Sequence, residues 1–193
     1  HLGPRISPDG RWVAFAGRQW NSEADPNVQT LWGGAYVAPP FDVWVVPVDP
    51  GNGSGEPIEL TCLHGRAGSG GENRVLEWKD ARTLHVTFPE NNAVHEVDIY
   101  NNRIGRQVVS DLYVEHKGKK FHREAVLSPD GQTLLCAQGQ AAWYQRRDPE
   151  QTKAPSPESA HPLGGCQTFV IPDSPWLIWM GGIGTNLRAL QLV

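Results

Sequence analysis

The stretch His1-Leu-Gly-Pro-Arg-Ile-Ser-Pro-Asp-Gly10 returns without a gap as His122-Arg-Glu-Ala-Val-Leu-Ser-Pro-Asp-Gly131. Behind each copy runs a strand-like segment, Arg11-Trp-Val-Ala-Phe-Ala-Gly17 in the first and Gln132-Thr-Leu-Leu-Cys-Ala-Gln138 in the second. The turn between them has a mechanism. Pro presets φ for the second position of a type I turn, Asp hydrogen-bonds its local backbone, and Gly accepts the left-handed conformation that returns the chain. Ser-Pro-Asp-Gly is therefore a hairpin corner, and each copy reads as strand, turn, strand.

Two degenerate copies keep the same frame, Val75-Leu-Glu-Trp-Lys-Asp80-Ala-Arg-Thr-Leu-His-Val and Phe169-Val-Ile-Pro-Asp173-Ser-Pro-Trp-Leu-Ile-Trp. Aligning Asp9, Asp80, Asp130 and Asp173 gives intervals of 71, 50 and 43 residues, against roughly 40–45 for a four-stranded propeller blade. The first two intervals thus carry insertions. A third strand follows in each unit: Asp42-Val-Trp-Val-Val-Pro-Val48, Ala93-Val-His-Glu-Val-Asp-Ile99, Ala141-Ala-Trp-Tyr-Gln145 and Leu187-Arg-Ala-Leu-Gln-Leu192. A fourth is plain in the first two units, at 57–61 and 104–109, and the last unit ends without one. The units run approximately 1–61, 62–110, 111–154 and 155–193, as a single domain whose 193 residues suffice for a real core.

Bulk composition agrees. With 21 Gly, 16 Pro and only 20% charged residues, the chain suits short strands and tight turns better than long helices. A net charge of -4 supplies no positive field for a nucleic-acid backbone, so nucleic acid is excluded as an expected partner. No apolar run approaches the ~20 residues of a bilayer-spanning helix, and no basic-then-apolar leader opens the chain. Its opening on His1 implies that an initiator Met, a leader or a longer precursor has been removed, or that it is an excised piece. Cys62, Cys136 and Cys166 stand too far apart for a zinc pattern or a disulfide framework.

The corners and the strands behind them resemble the TolB-like, WD-repeat-like propeller family, in which Ser-Pro-Asp-Gly joins a blade's innermost strand to its second. The resemblance covers most of the chain, in full at two corners and in degenerate form at two. It implies an all-β protein: a β-propeller or partial propeller of about four blades, each of four antiparallel strands. The competing reading is a β-sandwich that uses a good turn twice, but the ten-residue match and the ordered strands exceed what turn chemistry alone supplies. Three closures stay open: a ring closed by its own termini, half of a ring completed by a second copy, or a segment of a larger propeller. The resemblance also favours a periplasmic or secreted location.

In the TolB-like arrangement, the connections between blades and those from second to third strands share one face, which usually binds. The long connections here are expected there: 18–41, 62–73 and 110–121, with 148–165 bridging units three and four. Trp20, Trp32 and Tyr36 suit a planar contact surface, or else cap the end of the core. With His64, Arg66, His116 and Lys119 they form the expected binding set on the loop face.

The histidines carry the sharper pattern. His1 and His122 hold equivalent places at the entrance to the innermost strand, while His64, His116 and His161 fall in inter-unit connections. His1, His64, His122 and His161 are therefore the candidate ligands of a divalent transition metal. The family resemblance adds that some TolB-like enzymes, the oligogalacturonate lyases among them, hold a metal at the axis with several His. Against a metal, no His-Glu-x-x-His pair appears, and Glu72 and Gly165 stand where units two and four would need His. His85 and His95 lie in strands and are expected to pack or face the surface. No Gly-x-Ser-x-Gly elbow is present, and Gly181-Gly-Ile-Gly184 lacks the third glycine of a dinucleotide site.

Two functions follow. The first is a non-catalytic scaffold that binds a protein partner, or a second copy of itself, through the loop face, with no catalytic residue assigned. The second is a metal-dependent enzyme with a His-lined centre, acting on a sugar acid or another small polar substrate.

Overall fold

The computed structural model describes residues 2–17, 42–49, 53–60, 76–88, 92–112, 114–116, 119–121, 124–138, 141–171, 174, 176–180 and 187–191. Apart from a 3-10 turn at Pro157–Ser159, every regular element among them is a strand. The first sheet orders β1 (Leu2–Ile6), β2 (Trp12–Gly17) and β3 (Asp42–Asp49); β4 (Gly53–Ser54) and β5 (Ile58–Glu59) both pair with β3. The second orders β6 (Leu76–Trp78), β7 (Thr83–Phe88), β8 (Ala93–Asp98) and β9 (Arg103–Val109). A hairpin of β10 (Val114–His116) and β11 (Lys119–Phe121) follows. The third sheet orders β12 (Glu124–Leu127), β13 (Thr133–Gln138), β14 (Ala141–Arg146) and β15 (His161–Pro162). The fourth orders β16 (Cys166–Val170), β17 (Trp176–Met180) and β18 (Leu187–Gln191). Neighbouring strands within every sheet run antiparallel.

The two matched corners have the same internal wiring. Ser7 Oγ donates to Asp9 Oδ1 at 2.6 Å, Arg11 N–H donates to the same oxygen at 3.1 Å, and Trp12 N–H donates to Ser7 Oγ at 3.0 Å. In the second copy Ser128 Oγ donates to Asp130 Oδ1 at 2.6 Å, Gln132 N–H to that carboxylate at 2.9 Å, and Thr133 N–H to Ser128 Oγ at 2.9 Å. Gly10 and Gly131 close the turns at φ 71° and 72°, where a side chain would be strained. The degenerate corner keeps the aspartate's part alone: Asp80 Oδ1 accepts from Arg82 N–H and Thr83 N–H, both at 2.8 Å.

Strands that are apolar on both faces must be covered on both faces, and the sheets stack accordingly. Ala14, Ala16, Val43 and Val45 of the first sheet pack on Leu76, Trp78, Leu84 and Val86 of the second. Val94 and Val109 of the second meet Ala125, Leu127, Leu134 and Cys136 of the third. Val126 and Leu135, on the third sheet's other face, meet Leu177 and Trp179 of the fourth. Each buried Val or Leu contributes about 1.5–3 kcal/mol of transfer free energy. The first strands sit side by side in succession: β1 beside β6, β6 beside β12, β12 beside β16. Sheets stacked face to face with their first strands adjacent are propeller blades, so the chain is an all-β partial propeller of four blades.

One stretch differs from the sequence expectation. Residues 148–165 do not simply bridge the third and fourth units, because His161 and Pro162 pair with Tyr144 and Trp143 as the third sheet's outermost strand. Pro lacks an N–H and is tolerated on such an edge. The segment before it fastens the third sheet to the second: Ser110 N–H donates to Thr152 O at 2.6 Å, Ala154 N–H to Ser110 O at 2.9 Å, and Arg147 to Val108 O at 3.0 Å.

Candidate interaction surface

Strand register fixes which end of the sheets carries the connections. The Ser-Pro-Asp-Gly corner joins Ile6 to its partner Val13, whereas Gly17 pairs with Asp42 at the opposite end. The segment 18–41 leaves and re-enters at that opposite end, as do 61–75, between β5 and β6, and 110–123, between β9 and β12. These three long connections therefore share one end of the blades, whereas the tight aspartate corners and the long 147–160 connection between β14 and β15 lie at the other.

Of the expected binding and metal residues, His1, Trp20, Trp32, Tyr36, His64, Arg66 and His122 lie outside the described residues. His116 and Lys119 are register partners at the turn of the β10–β11 hairpin, within the connection from the second to the third blade. His161 takes a different place from the expected inter-unit connection. It stands on the outer strand β15, exposed, stacked on the Tyr144 ring at 4.9 Å between centroids. Among the described residues no three His, Cys, Asp or Glu side chains come together as metal ligands. Cys136 is a fully buried thiol whose pKa burial pushes well up, which makes it a packing residue.

The polar groups that are drawn together lie between blades. Arg5 Nε of β1 donates to Glu77 Oε2 of β6 at 3.1 Å, with Glu77 almost fully buried, and the Trp78 indole N–H donates to Arg5 O at 2.9 Å. Burial outweighs the Arg5 charge and raises the Glu77 pKa. At the next junction Thr87 Oγ1 of β7 donates to Ala125 O of β12 at 2.7 Å. His85, beside it on β7, is 3% exposed, with Nδ1 lacking a hydrogen-bond partner among the described residues. Burial holds its pKa at about 4, against the opposing pull of Glu96. His85 is thus a neutral packing residue at neutral pH, in line with its expected role. On β8, Glu96 accepts from Lys79 at 2.8 Å and Arg106 at 3.2 Å; burial alone would raise its pKa, and these two cations bring it below the usual range.

Sequence reasoning missed a cluster at the corner end. Trp12 Nε1 donates to the Tyr100 hydroxyl at 3.1 Å with the rings edge to face, and Arg82 lies 5.9 Å from the Tyr100 ring centroid. Arg82 also holds Asp98 at 2.7 Å, which with the Tyr100 and Asn101 amides lowers the Asp98 pKa to about 2. The aspartate at the end of the third strand, Asp98, was the available signal, because its side chain organises the Asn101-Asn102 turn. No helix among the described residues is long and apolar enough to cross a membrane.

No protein-family model and no curated protein matches the chain. Among solved structures, a puromycin hydrolase aligns over 91% of this chain and 24% of its own, at 15% identity and a TM-score of 0.47. The hydrazine synthase of Kuenenia stuttgartiensis aligns over 98% of this chain and 45% of its own, at 15% identity and 0.42. A dihydro-heme d1 dehydrogenase, NirN, aligns over 97% and 44%, at 14% identity and 0.33. The chain spans less than half of each, and at this level of likeness its assignment as a partial propeller rests on its own strand pairing and blade stacking.

Proposed function

We propose that the chain is a binding scaffold of TolB-like propeller type, one domain that engages a protein partner through the end carrying the 18–41, 61–75 and 110–123 connections. The observation that supports this reading is that these three connections between strands and blades attach on the same side, opposite the tight corners. Long loops gathered on a rigid scaffold are the usual means by which such folds bind. Trp20, Trp32 and Tyr36 would supply planar apolar contacts, and Arg66, His64, His116 and Lys119 polar ones. The family resemblance favours a periplasmic or secreted location for this activity.

Peptide-library selection on the immobilised chain tests the scaffold. Enriched sequences whose binding is lost in a Trp20→Ala, Trp32→Ala, Tyr36→Ala variant support it; no enrichment, or binding indifferent to those substitutions, removes it. The equivalence of His1 and His122 in the repeat keeps a metal-dependent enzyme on a small polar substrate as the second reading. Elemental analysis separates the two: a stoichiometric transition metal lost in a His1→Ala, His122→Ala variant favours the enzyme.

A further inference from the structure

Strand register gives each blade a row of equivalent positions on the face turned to the next blade. In the first blade the row reads Arg5, Ala14 and Val45, and in the third Val126, Leu135 and Tyr144. In the second it reads Glu77, His85 and Glu96. Thr87, two residues beyond His85 and so on the same face, donates to Ala125 O of β12, which sets this row against the third blade. The junction between the second and third blades thus holds an imidazole where the junctions on either side hold Ala14 and Leu135.

The Leu127 backbone of β12 hydrogen-bonds the buried imidazole across this junction, while Nδ1 has no partner among the described residues. In the neutral ring Nδ1 is an unused acceptor; protonation turns it into a donor that carries charge. The charged groups around it are already engaged. Glu96 of β8 holds Lys79 and Arg106, Glu77 of β6 holds Arg5, Lys79 itself opposes a second cation, and Asp80 lies at the exposed corner. The described β12 side chains facing the second blade or the core, Ala125, Val126 and Leu127, carry no charge, and Cys136 behind them is a neutral thiol. Water is the remaining partner for a protonated ring, and it reaches Nδ1 only where the two sheets separate. We propose that the second and third blades form an acid-opened junction, shut while His85 is neutral and parted when its imidazole takes up a proton. The bonds of Ser110 with Thr152 and Ala154 do not titrate, so the blades part along this face while staying tied at the rim. The 110–123 connection spans the junction, so opening shifts one of the three connections on the binding end; that consequence rests on the scaffold reading, whereas the opening itself does not.

Cys136, fully buried in the core of this junction, is the probe. The closed form takes the proton only near pH 4 and the open form near 6.5, so opening is favoured progressively as pH falls between them. In a Cys62→Ser, Cys166→Ser chain, labelling of Cys136 by dithiodipyridine, which reacts with thiols in acid, is measured against a free thiol at the same pH. It is expected to rise at least about tenfold from pH 7 to pH 4. A Val43→Cys, Cys136→Ala version of that chain puts the thiol in the core between the first and second blades, where labelling is expected to stay level. His85→Gln and His85→Leu are each expected to abolish the Cys136 rise; circular dichroism at both pH values checks that the sheets persist, and either variant suffices if the other does not fold. A Cys136 thiol that stays unreactive at pH 4 overturns the proposal, as does an equal rise at the Val43→Cys thiol, which is unfolding of the whole chain. A rise that survives the His85 substitutions overturns it too, because another group then drives the opening.

Discussion

Ser128 stands at the centre of its corner, buried, giving its hydroxyl proton to Asp130 and taking the Thr133 N–H. Ser128→Ala leaves that amide without its partner and is expected to lower stability by about 1–2 kcal/mol in urea titration. Gly131 needs only its left-handed φ, since an added Cβ meets Pro149 Cβ at an ordinary 3.5 Å. Gly131→Ala is therefore expected to cost about 1–2 kcal/mol from backbone strain, without repacking. His85 ties stability to pH: its folded pKa, about 4, is depressed below its ordinary 6.5. Its contribution is fully present above pH 6.5 and is lost as pH falls through 4, a loss of order 3 kcal/mol. Glu77, with a raised pKa, acts in the opposite sense, its contribution being lost as pH rises through that value. His85→Leu isolates the histidine's share: urea titrations between pH 7 and 4 should show a flatter fall in stability than the unchanged chain. An unchanged slope would assign the acid sensitivity elsewhere.

Among elements, the legible part was whatever local chemistry fixes. The corners were readable because Ser and Asp satisfy the turn's amides within five residues, and the strand order followed from them. The outer strand β15 was not readable: two residues, one of them Pro, in a Pro- and Ser-rich stretch carry no period-2 signal, and its strand character comes from pairing with Trp143 and Tyr144. The Arg5–Glu77 bridge was equally hidden, because 72 residues separate the partners and only the stacking of β1 against β6 joins them. A double-mutant cycle with Arg5→Met and Glu77→Leu should return a coupling of at least about 1 kcal/mol, the Glu77→Leu single being the worse for leaving Arg5 beside an apolar core. Additive effects would show that the pair does not bind the two blades.

At the scale of the whole molecule, the matched corners and the strands ordered behind them announced four blades, while the way the blades close stayed open. Expected site residues such as Trp32 and His64 were read in long connections of the sequence, where no periodic pattern fixes backbone position, so the sequence named chemistry there without geometry. Everything drawn from the arc depends on the first strands of successive blades standing side by side. Long-range nuclear Overhauser effects test that arrangement most directly on the folded chain. The Trp78 indole N–H, 2.9 Å from Arg5 O, should show cross-peaks to β1 protons of Arg5 and Ile6, and Thr87 should show them to Ala125 and Val126. Strong contacts within each sheet, with none between β1 and β6 or between β7 and β12, would contradict the propeller.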